Sequence, residues 1–259
     1  MESRLELERK QAAILHDLGG FGPFQASIVM VNTLFLATTL SFLNTLNYGE
    51  KAPKEYFSEY KIDDDDITGT VWRSCKAEDF CGDPNLLSYE PDTTHKDFYY
   101  NLITKLKLDC APGSQIGLIG SSFFAGWMIT LLFIPRISDL YGRQRLLQIG
   151  AALQTLTYFL LTCTESFGVL IGAVTLLGMI STIRVQLVYR YCYELVPKTT
   201  WGAVVPVVLF GSTFCSLLII LYLSLYSNDW NSLLYVFIAT SVIVLIGSIF
   251  FPESPQFLI

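Results

Sequence analysis

Six long apolar runs constrain this chain more than any other feature of its sequence. They cover about residues 24–46, 114–137, 146–163, 167–189, 203–226 and 233–251. A helix needs roughly 20 apolar residues to cross the hydrocarbon core of a bilayer. Backbone groups in hydrocarbon must also be hydrogen-bonded internally, which favours helices. The sequence therefore predicts an all-α membrane protein, a bundle of six transmembrane helices.

The polar segments complete the predicted organisation. Residues 1–23 form a charged lead-in, residues 47–113 an acidic, cysteine-containing loop domain, and residues 252–259 a short tail. The polar stretch between about residues 46 and 113 holds 14 acidic and 8 basic residues, which accounts for the net charge of −6. The chain has no basic stripe of the kind that binds nucleic acid. It also has no phosphate-binding glycine loop, metalloprotease motif or activated nucleophile, so neither an enzyme nor a cofactor is predicted.

Lysine and arginine residues in the short loops predict the orientation of the bundle, since such loops are richer in them on the cytoplasmic side. Basic residues occur in the lead-in, after the second run and after the fourth run. The connections after the third and fifth runs have none. Both termini are therefore predicted to be cytoplasmic, with loop 47–113 extracellular or lumenal.

A charged motif follows the second apolar run and reads Asp139-Leu-Tyr-Gly142-Arg143-Gln-Arg145. Guanidinium groups bind carboxylates through two parallel hydrogen bonds. Glu194, at the end of the fourth run, is a natural partner for these arginines. The motif thus predicts a charge-paired latch between helix ends. Alternatively, its basic residues serve only to hold the loop in the cytoplasm.

Together with other landmarks, this motif resembles the major facilitator superfamily, and in particular its organic cation/anion transporter branch. The motif itself is similar to the cytoplasmic signature D-x-x-G-R-x-R of that superfamily. Further landmarks occur in the order of that branch: Gly20-Phe-Gly-Pro-Phe-Gln25, Asn101 to Cys110, Ser122-Phe-Phe-Ala-Gly-Trp127, Tyr193-Glu-Leu-Val-Pro197 and Pro252-Glu-Ser-Pro255. The sequence departs from the family pattern at Pro135, at Gly168 and at Gln256, where the family usually has Gly, a basic residue and Arg.

The resemblance implies the amino-terminal six-helix half of a twelve-helix transporter, whose solute path lies between two halves. It adds Glu253 to the predicted charge network of Asp139, Gly142, Arg143, Arg145 and Glu194. The implied function is alternating-access transport of small organic ions or solutes, and it requires a second half from another copy, another chain or further sequence. Candidate cavity residues are Asn32, Asn44, Arg184, Gln186, Ser212 and Thr213.

Arg184 is the only formal charge well inside an apolar run, and its role can be interpreted in more than one way. Intramembrane charges are functional candidates, so Arg184 is predicted to face a cavity or a partner. Alternatively, its side chain snorkels to the interface or makes a structural pair.

A second hypothesis competes with transport. The chain is then a non-transporting structural or accessory subunit, a half-transporter reused as a scaffold in a larger membrane complex. The polar residues of the first helix would face partner helices, since such residues also mediate helix–helix contacts. Under either hypothesis the expected partners are membrane lipid and a second half, a homo-oligomer or other membrane subunits.

The cysteines predict disulfide bonding in the loop, because an exofacial loop is oxidised. Cys75, Cys81 and Cys110 lie in the loop, and Cys163, near the outer end of the third run, is a candidate fourth partner. A zinc site with His95 has no standard ligand spacing. The run Asp63 to Asp66 lacks the alternating ligands of a calcium loop, so it is interpreted as a solvated acidic face. No metal site is predicted.

Overall fold

Six long helices dominate the structure, a computed structural model that describes residues 21–50, 53, 55–64, 67–81, 86–93, 98–226 and 229–250. We label them α1 (Pro23–Gly49), α2 (Gly113–Leu131), α3 (Arg143–Cys163), α4 (Phe167–Leu195), α5 (Trp201–Tyr226) and α6 (Trp230–Ile249). Each is long and apolar enough to cross a membrane. The predicted six-helix membrane fold is therefore confirmed.

The prediction was wrong about the end of the second span. It placed that end near residue 137, but α2 ends at Leu131, and a separate helix, Ile134–Tyr141, follows. Pro135 explains the break, because a proline ring lacks an N–H group and clashes with the carbonyl four residues earlier. Near the start of a helix this cost disappears, and Pro135 occupies the first turn of the new helix.

The bundle consists of two equivalent sets of three helices. The central helices are α1 and α4, which contact each other. Helix α2 packs on α4 as α5 packs on α1, while α3 packs on α4 as α6 packs on α1. Helices α3 and α6 also pack together. Exchanging α1–α3 with α4–α6 therefore reproduces the packing pattern, as expected for a bundle built from a repeated three-helix unit.

Two buried clusters fill the bundle, one towards each end. We call one end the sheet end, where α1 leads into the long loop. Its core includes Phe42, Phe123, Tyr158 and Trp230. We call the other end the motif end, where residues 132–142 connect α2 to α3. Its core includes Ile28, Phe35, Leu187 and Val208.

A three-stranded antiparallel sheet forms in the long loop, with strand order β2-β1-β3. The strands are β1 (Tyr56–Asp64), β2 (Ile67–Cys75) and β3 (Leu86–Pro91), and short helices of the loop cover Ala77–Phe80 and Leu102–Lys105. A further helical turn, Lys198–Thr200, lies between α4 and α5. Tyr56 of β1 pairs with Cys75 of β2 and with Pro91 of β3. Beneath the sheet, the rings of Tyr56, Phe80 and Tyr89 pack together.

The loop is joined to the sheet end of the helices. The carbonyl of Tyr100 accepts a hydrogen bond from Trp230 N at 2.8 Å. Lys105 Nζ donates to the carbonyls of Leu161 and Thr162, at 3.1 and 2.8 Å, and so satisfies acceptors at the end of α3. Burial lowers the pKa of Lys105.

A disulfide joins Cys81 to Cys110, with their Cα atoms 5.4 Å apart. Cys75 and Cys163 are free thiols, so the suggestion that Cys163 supplies a fourth disulfide partner was wrong. Cys163 lies at the end of α3, exposed, while the Cys75 sulfur lies 2.7 Å from the Ser58 hydroxyl.

Candidate metal ligands form no cluster in the described ranges: no group of three or more His, Cys, Asp or Glu side chains comes together there. His95, Asp65 and Asp66 lie outside the described residues.

Candidate functional site

The charged motif is arranged around Gly142. This residue connects helix Ile134–Tyr141 to α3 with φ of 87° and ψ of 152°. Positive φ costs glycine little, because it has no Cβ. The sharp connection makes Arg143 the first residue of α3 and leaves Asp139 on the last turn of the preceding helix. The two charged groups therefore lie four residues apart at the motif end.

Arg143 is the centre of the ion pairs at this end. Its Nη1 atom forms an ion pair with Oε1 of Glu194, on the last turn of α4. Its Nη2 atom lies 3.6 Å from Oδ1 of Asp139. The side chains of Arg143 and Glu194 are only 12% and 10% exposed, whereas that of Asp139 is 62% exposed. Because solvent screens exposed pairs, the sheltered Arg143–Glu194 contact is the stronger of the two.

Two glutamines extend this contact to a third helix, and sequence reasoning missed them. The side-chain amides of Gln144 and Gln148 each donate to the carbonyl of Ser248, at 3.1 Å. They tie the start of α3 to the end of α6. Their four-residue spacing, which places both on one helix face, was the signal that could have revealed them.

The remaining members of the predicted charge network lie elsewhere. Arg145 is exposed and forms no ion pair with a described residue. Glu253 lies outside the described residues.

The structure does not bring the candidate cavity residues together. The amide of Asn44 donates to the hydroxyl of Ser216 on α5 at 2.9 Å. Asn32 is buried and donates to Ile28 of its own helix. Ser212 and Thr213 both donate to the carbonyl of Leu209. Gln186 is exposed on α4.

Arg184 lies inside the bundle with no solvent exposure. Its Nη2 atom donates to the carbonyl of Phe35 at 2.8 Å and to Oγ1 of Thr38 at 2.9 Å. Its Cζ atom lies 4.7 Å from the centroid of the Phe35 ring. A Cβ added at Gly150 of α3 would lie 3.4 Å from its side chain. Arg184 thus joins α1 to α4 and does not reach the interface, so the suggestion that it snorkels was wrong.

A cavity of about 170 Å³ lies between α1, α5 and α6. Its lining is almost entirely apolar, and it contains none of the predicted cavity residues. The lining includes Leu34, Thr38, Cys215, Ile219, Thr240 and Ile243.

The outer helices α2 and α5 present large apolar side chains outward. On α2 these include Phe124 and Met128, and on α5 Phe210, Phe214 and Leu221, all more than half exposed. Such faces are stable only against lipid or other helices.

Six apolar helices in two equivalent triplets, joined by sheltered charges at one end, define an integral multi-pass membrane protein with the fold of a facilitator half. Residues 67–259 match the family model described as "Sugar (and other) transporter". The chain therefore belongs to this family of the major facilitator superfamily. That membership groups it with transporters and not with enzymes.

A solved structure supports the same fold. The xylose transporter XylE from E. coli, in an inward-open conformation, matches with a TM-score of 0.57 and 14% sequence identity over 90% of this chain. The chain spans 48% of the length of XylE. A comparison with curated proteins finds no match.

Proposed function

We propose that this chain forms one six-helix half of an alternating-access transporter for small organic ions or solutes, of the organic cation/anion transporter type. The second half comes from another copy, another chain or further sequence. The observation that carries the proposal is the sheltered Arg143–Glu194 ion pair between the ends of α3 and α4. It supplies a device that a transport cycle needs, a contact that holds one conformation and can be broken in another.

Asp139 lowers the cost of breaking this contact. Removing one partner of a buried ion pair typically costs about 3–5 kcal/mol, because the other charge is left unpaired. Arg143 has a second carboxylate nearby, since Asp139 Oδ1 lies 3.6 Å from its Nη2 atom. When Glu194 moves away with α4, Asp139 still pairs with Arg143. The latch of Arg143, Glu194 and Asp139 therefore biases the conformational equilibrium without locking it.

The outward apolar faces of α2 and α5 provide the surface for the second half. Phe124 and Phe214 are 54% and 62% exposed on these faces. In the proposed assembly, the solute path lies between the two halves, next to the central helices α1 and α4.

We further propose that the motif end faces the cytoplasm and the sheet end the outside or a lumen, because the basic residues of the short loops cluster at the motif end. The exposed thiol of Cys163 at the sheet end provides a test. In sealed cells or organelles oriented as in vivo, a membrane-impermeant maleimide should label Cys163 from the non-cytoplasmic side. Labelling only from the cytoplasmic side would reverse the orientation, and Cys163→Ser provides the control.

Transport itself is tested by uptake into liposomes containing the protein expressed from its complete coding sequence. We expect saturable uptake of a labelled organic ion, with a rate that changes at least severalfold in Glu194→Gln and in Arg143→Gln. Arg145→Gln is the matched control, because Arg145 is exposed and has no ion-pair partner among the described residues. Its uptake should equal that of the wild type.

The same uptake assay distinguishes the transporter proposal from the alternative that the chain is a structural subunit. If no solute is taken up, and the native protein purifies in a stable hetero-complex without a water-accessible path beside α1 and α4, the proposal is wrong. The scaffold hypothesis then explains the fold.

A further inference from the structure

Arg184 is the only charged side chain in the middle of the six helices. The other four charged residues of these helices lie within about two turns of a helix end: Arg143, Arg145, Arg190 and Glu194. Arg184 lies close to the midpoint of α4, and its partner Phe35 lies close to the midpoint of α1. The core of this half therefore carries one positive charge and no acidic residue.

The positive charge of Arg184 has no compensating anion in the described part of the chain. No carboxylate there lies within ion-pair distance of its guanidinium. Two of its buried nitrogens, Nε and Nη1, have no hydrogen-bond partner among the described residues. Among the described residues, the carbonyl of Phe35, the hydroxyl of Thr38 and the Phe35 ring contact the cation directly, and the uncharged Tyr158 phenol interacts with it electrostatically.

The charge is also permanent. Arginine stays protonated inside proteins, because its guanidinium is a very weak acid. A fixed cation in a low-dielectric bundle acts over a longer range than one in water. Arg184 is enclosed by α1, α3 and α4 and has no exposed surface, so it acts on a solute through this field and not by contact.

Resting on the proposed function, we infer that Arg184 is a specificity-determining residue that makes the solute site favour organic anions over cations. Solute sites in facilitator-type folds lie near the bilayer midplane, and Arg184 lies near the middle of α4 and against the middle of α1. For charges about 10 Å apart at an effective dielectric constant of about 20, the interaction changes affinity by about tenfold. Anions gain this factor and cations lose it.

The acidic loop does not reverse this preference. It holds 14 acidic and 8 basic residues between about residues 46 and 113. Salt screens exposed charges beyond about 8 Å, and half of a hydrocarbon core is about 15 Å. The loop therefore acts on ions at the membrane surface, while Arg184 acts at mid-depth.

Binding of three small aromatic compounds tests the inference: benzenesulfonate as the anion, methyl phenyl sulfone as its uncharged analogue, and benzyltrimethylammonium as the cation. Dissociation constants are taken from ligand-dependent thermal stabilisation of the purified full-length protein. The wild type should bind benzenesulfonate about tenfold more tightly than the sulfone, and the cation most weakly. In Arg184→Gln, anion affinity should fall about tenfold and cation affinity should rise, while sulfone affinity is unchanged.

Two further variants separate charge from structure. Arg184→Lys places an ammonium group there, and at about pH 5, where a buried lysine is still protonated, it should keep the preference for the anion. Arg190→Gln removes a charge six residues away on the same helix and should leave the preference intact. A merely structural role for Arg184 would change the affinity for all three compounds alike. If Arg184→Gln does not fold, the inference is tested by the order of the three affinities in the wild type and by the affinities of Arg184→Lys.

The inference is overturned if the wild type binds the cation as tightly as the anion, if it binds none of the three, or if Arg184→Gln leaves the ratio unchanged. The binding assay does not require transport. Anion preference without any uptake would therefore overturn the proposed function alone, and uptake without a charge preference would overturn this inference alone.

Discussion

The α2–α4 interface and the α1–α5 interface occupy equivalent places in the bundle, yet they are packed differently. At the first, a Cβ on Gly126 would overlap the carbonyl oxygen of Thr175, and one on Gly178 would overlap that of Phe123. At the second, a Cβ on Gly211 would meet the Thr33 side chain at 2.8 Å. Backbones therefore touch at the first interface, whereas side chains separate the helices at the second.

This difference indicates which helices move together. Two helices whose backbones are in contact cannot shift far against each other, because a packed interior transmits a displacement from one helix to the next. The cavity of about 170 Å³ lies beside the α1–α5 interface, between α1, α5 and α6. We expect α2 and α4 to move as one unit during transport, and α5 to shift more easily against α1.

The largest expected effect comes from adding a methyl group where the backbones touch. Gly178→Ala should lower the free energy of unfolding by about 3 kcal/mol, because the Phe123 carbonyl must move away. The measurement is unfolding in mixed detergent with increasing SDS. Gly172→Ala on the same helix, with nothing within 4 Å of its Cβ position, should be neutral or slightly stabilising. Equal losses of stability in both variants would show that the close contact between Gly178 and the Phe123 carbonyl does not determine the stability of this interface.

Gly211→Ala should lower the free energy of unfolding by about 1 kcal/mol. The loss is smaller than for Gly178→Ala, because the added methyl group contacts the Thr33 side chain and not the backbone. The obstructing atom is the Thr33 Cγ2 methyl, while Thr33 Oγ1 donates to the Val29 carbonyl. Thr33→Ser removes only the methyl, so the double variant should recover most of the loss. A double-mutant cycle in the same assay measures this, and strict additivity would refute the assignment.

A smaller effect is expected from the polar contact between α1 and α5. Ser216→Ala removes the acceptor for the Asn44 amide and should cost about 0.6 kcal/mol, the usual value for a hydrogen bond between membrane helices. Ser212 donates to Leu209 of its own helix, so Ser212→Ala should cost less. The reverse order in SDS unfolding would mean that Asn44 does not help to hold these helices together.

The smallest expected effect is a dependence of protein stability on pH. It does not involve the two interfaces, because the glycine, threonine, serine and asparagine residues compared there are not ionisable. It arises at Asp109 in the loop, whose pKa is raised by burial, although hydrogen bonds from Tyr56 and Tyr89 oppose the shift. A raised pKa in the folded state stabilises it fully below about pH 4, and the contribution is lost as the pH rises through the folded-state pKa.

Asp109→Asn should abolish this dependence. The stability of the wild type relative to the variant should fall between pH 4 and pH 7, by less than about 0.5 kcal/mol because Asp109 is partly solvated. Thermal unfolding at several pH values measures the difference. If the stability difference between wild type and variant is the same at every pH, Asp109 does not have a raised pKa in the folded protein.

The sequence predicted the six helices well, because length and apolarity alone determine whether a helix can cross a membrane. It also named Arg143 and Glu194 as partners, since both lie beside predicted helix ends at the same side of the bundle. Pro135 marks the break between α2 and the next helix, but as a departure from a family motif it does not by itself predict where α2 ends.

Other features depend on packing that no single sequence displays. The disulfide between Cys81 and Cys110 was one of several possible pairings, since spacing alone does not determine connectivity. The depth of Arg184 was ambiguous, because a long side chain can reach the interface or remain inside. The glycine contact between α2 and α4 requires the rotation of both helices, and hydrophobic runs without a strong polar face do not specify it.

Exchange of solute across the membrane tests the central claim most directly. A carrier whose site opens alternately to each side returns faster when loaded, so unlabelled solute inside accelerates the entry of labelled solute. Liposomes containing the native protein should therefore take up a labelled organic anion faster when preloaded with the same unlabelled anion, and the uptake should saturate. Uptake that equals that of protein-free liposomes, or that neither saturates nor responds to preloading, would contradict an alternating-access half-transporter.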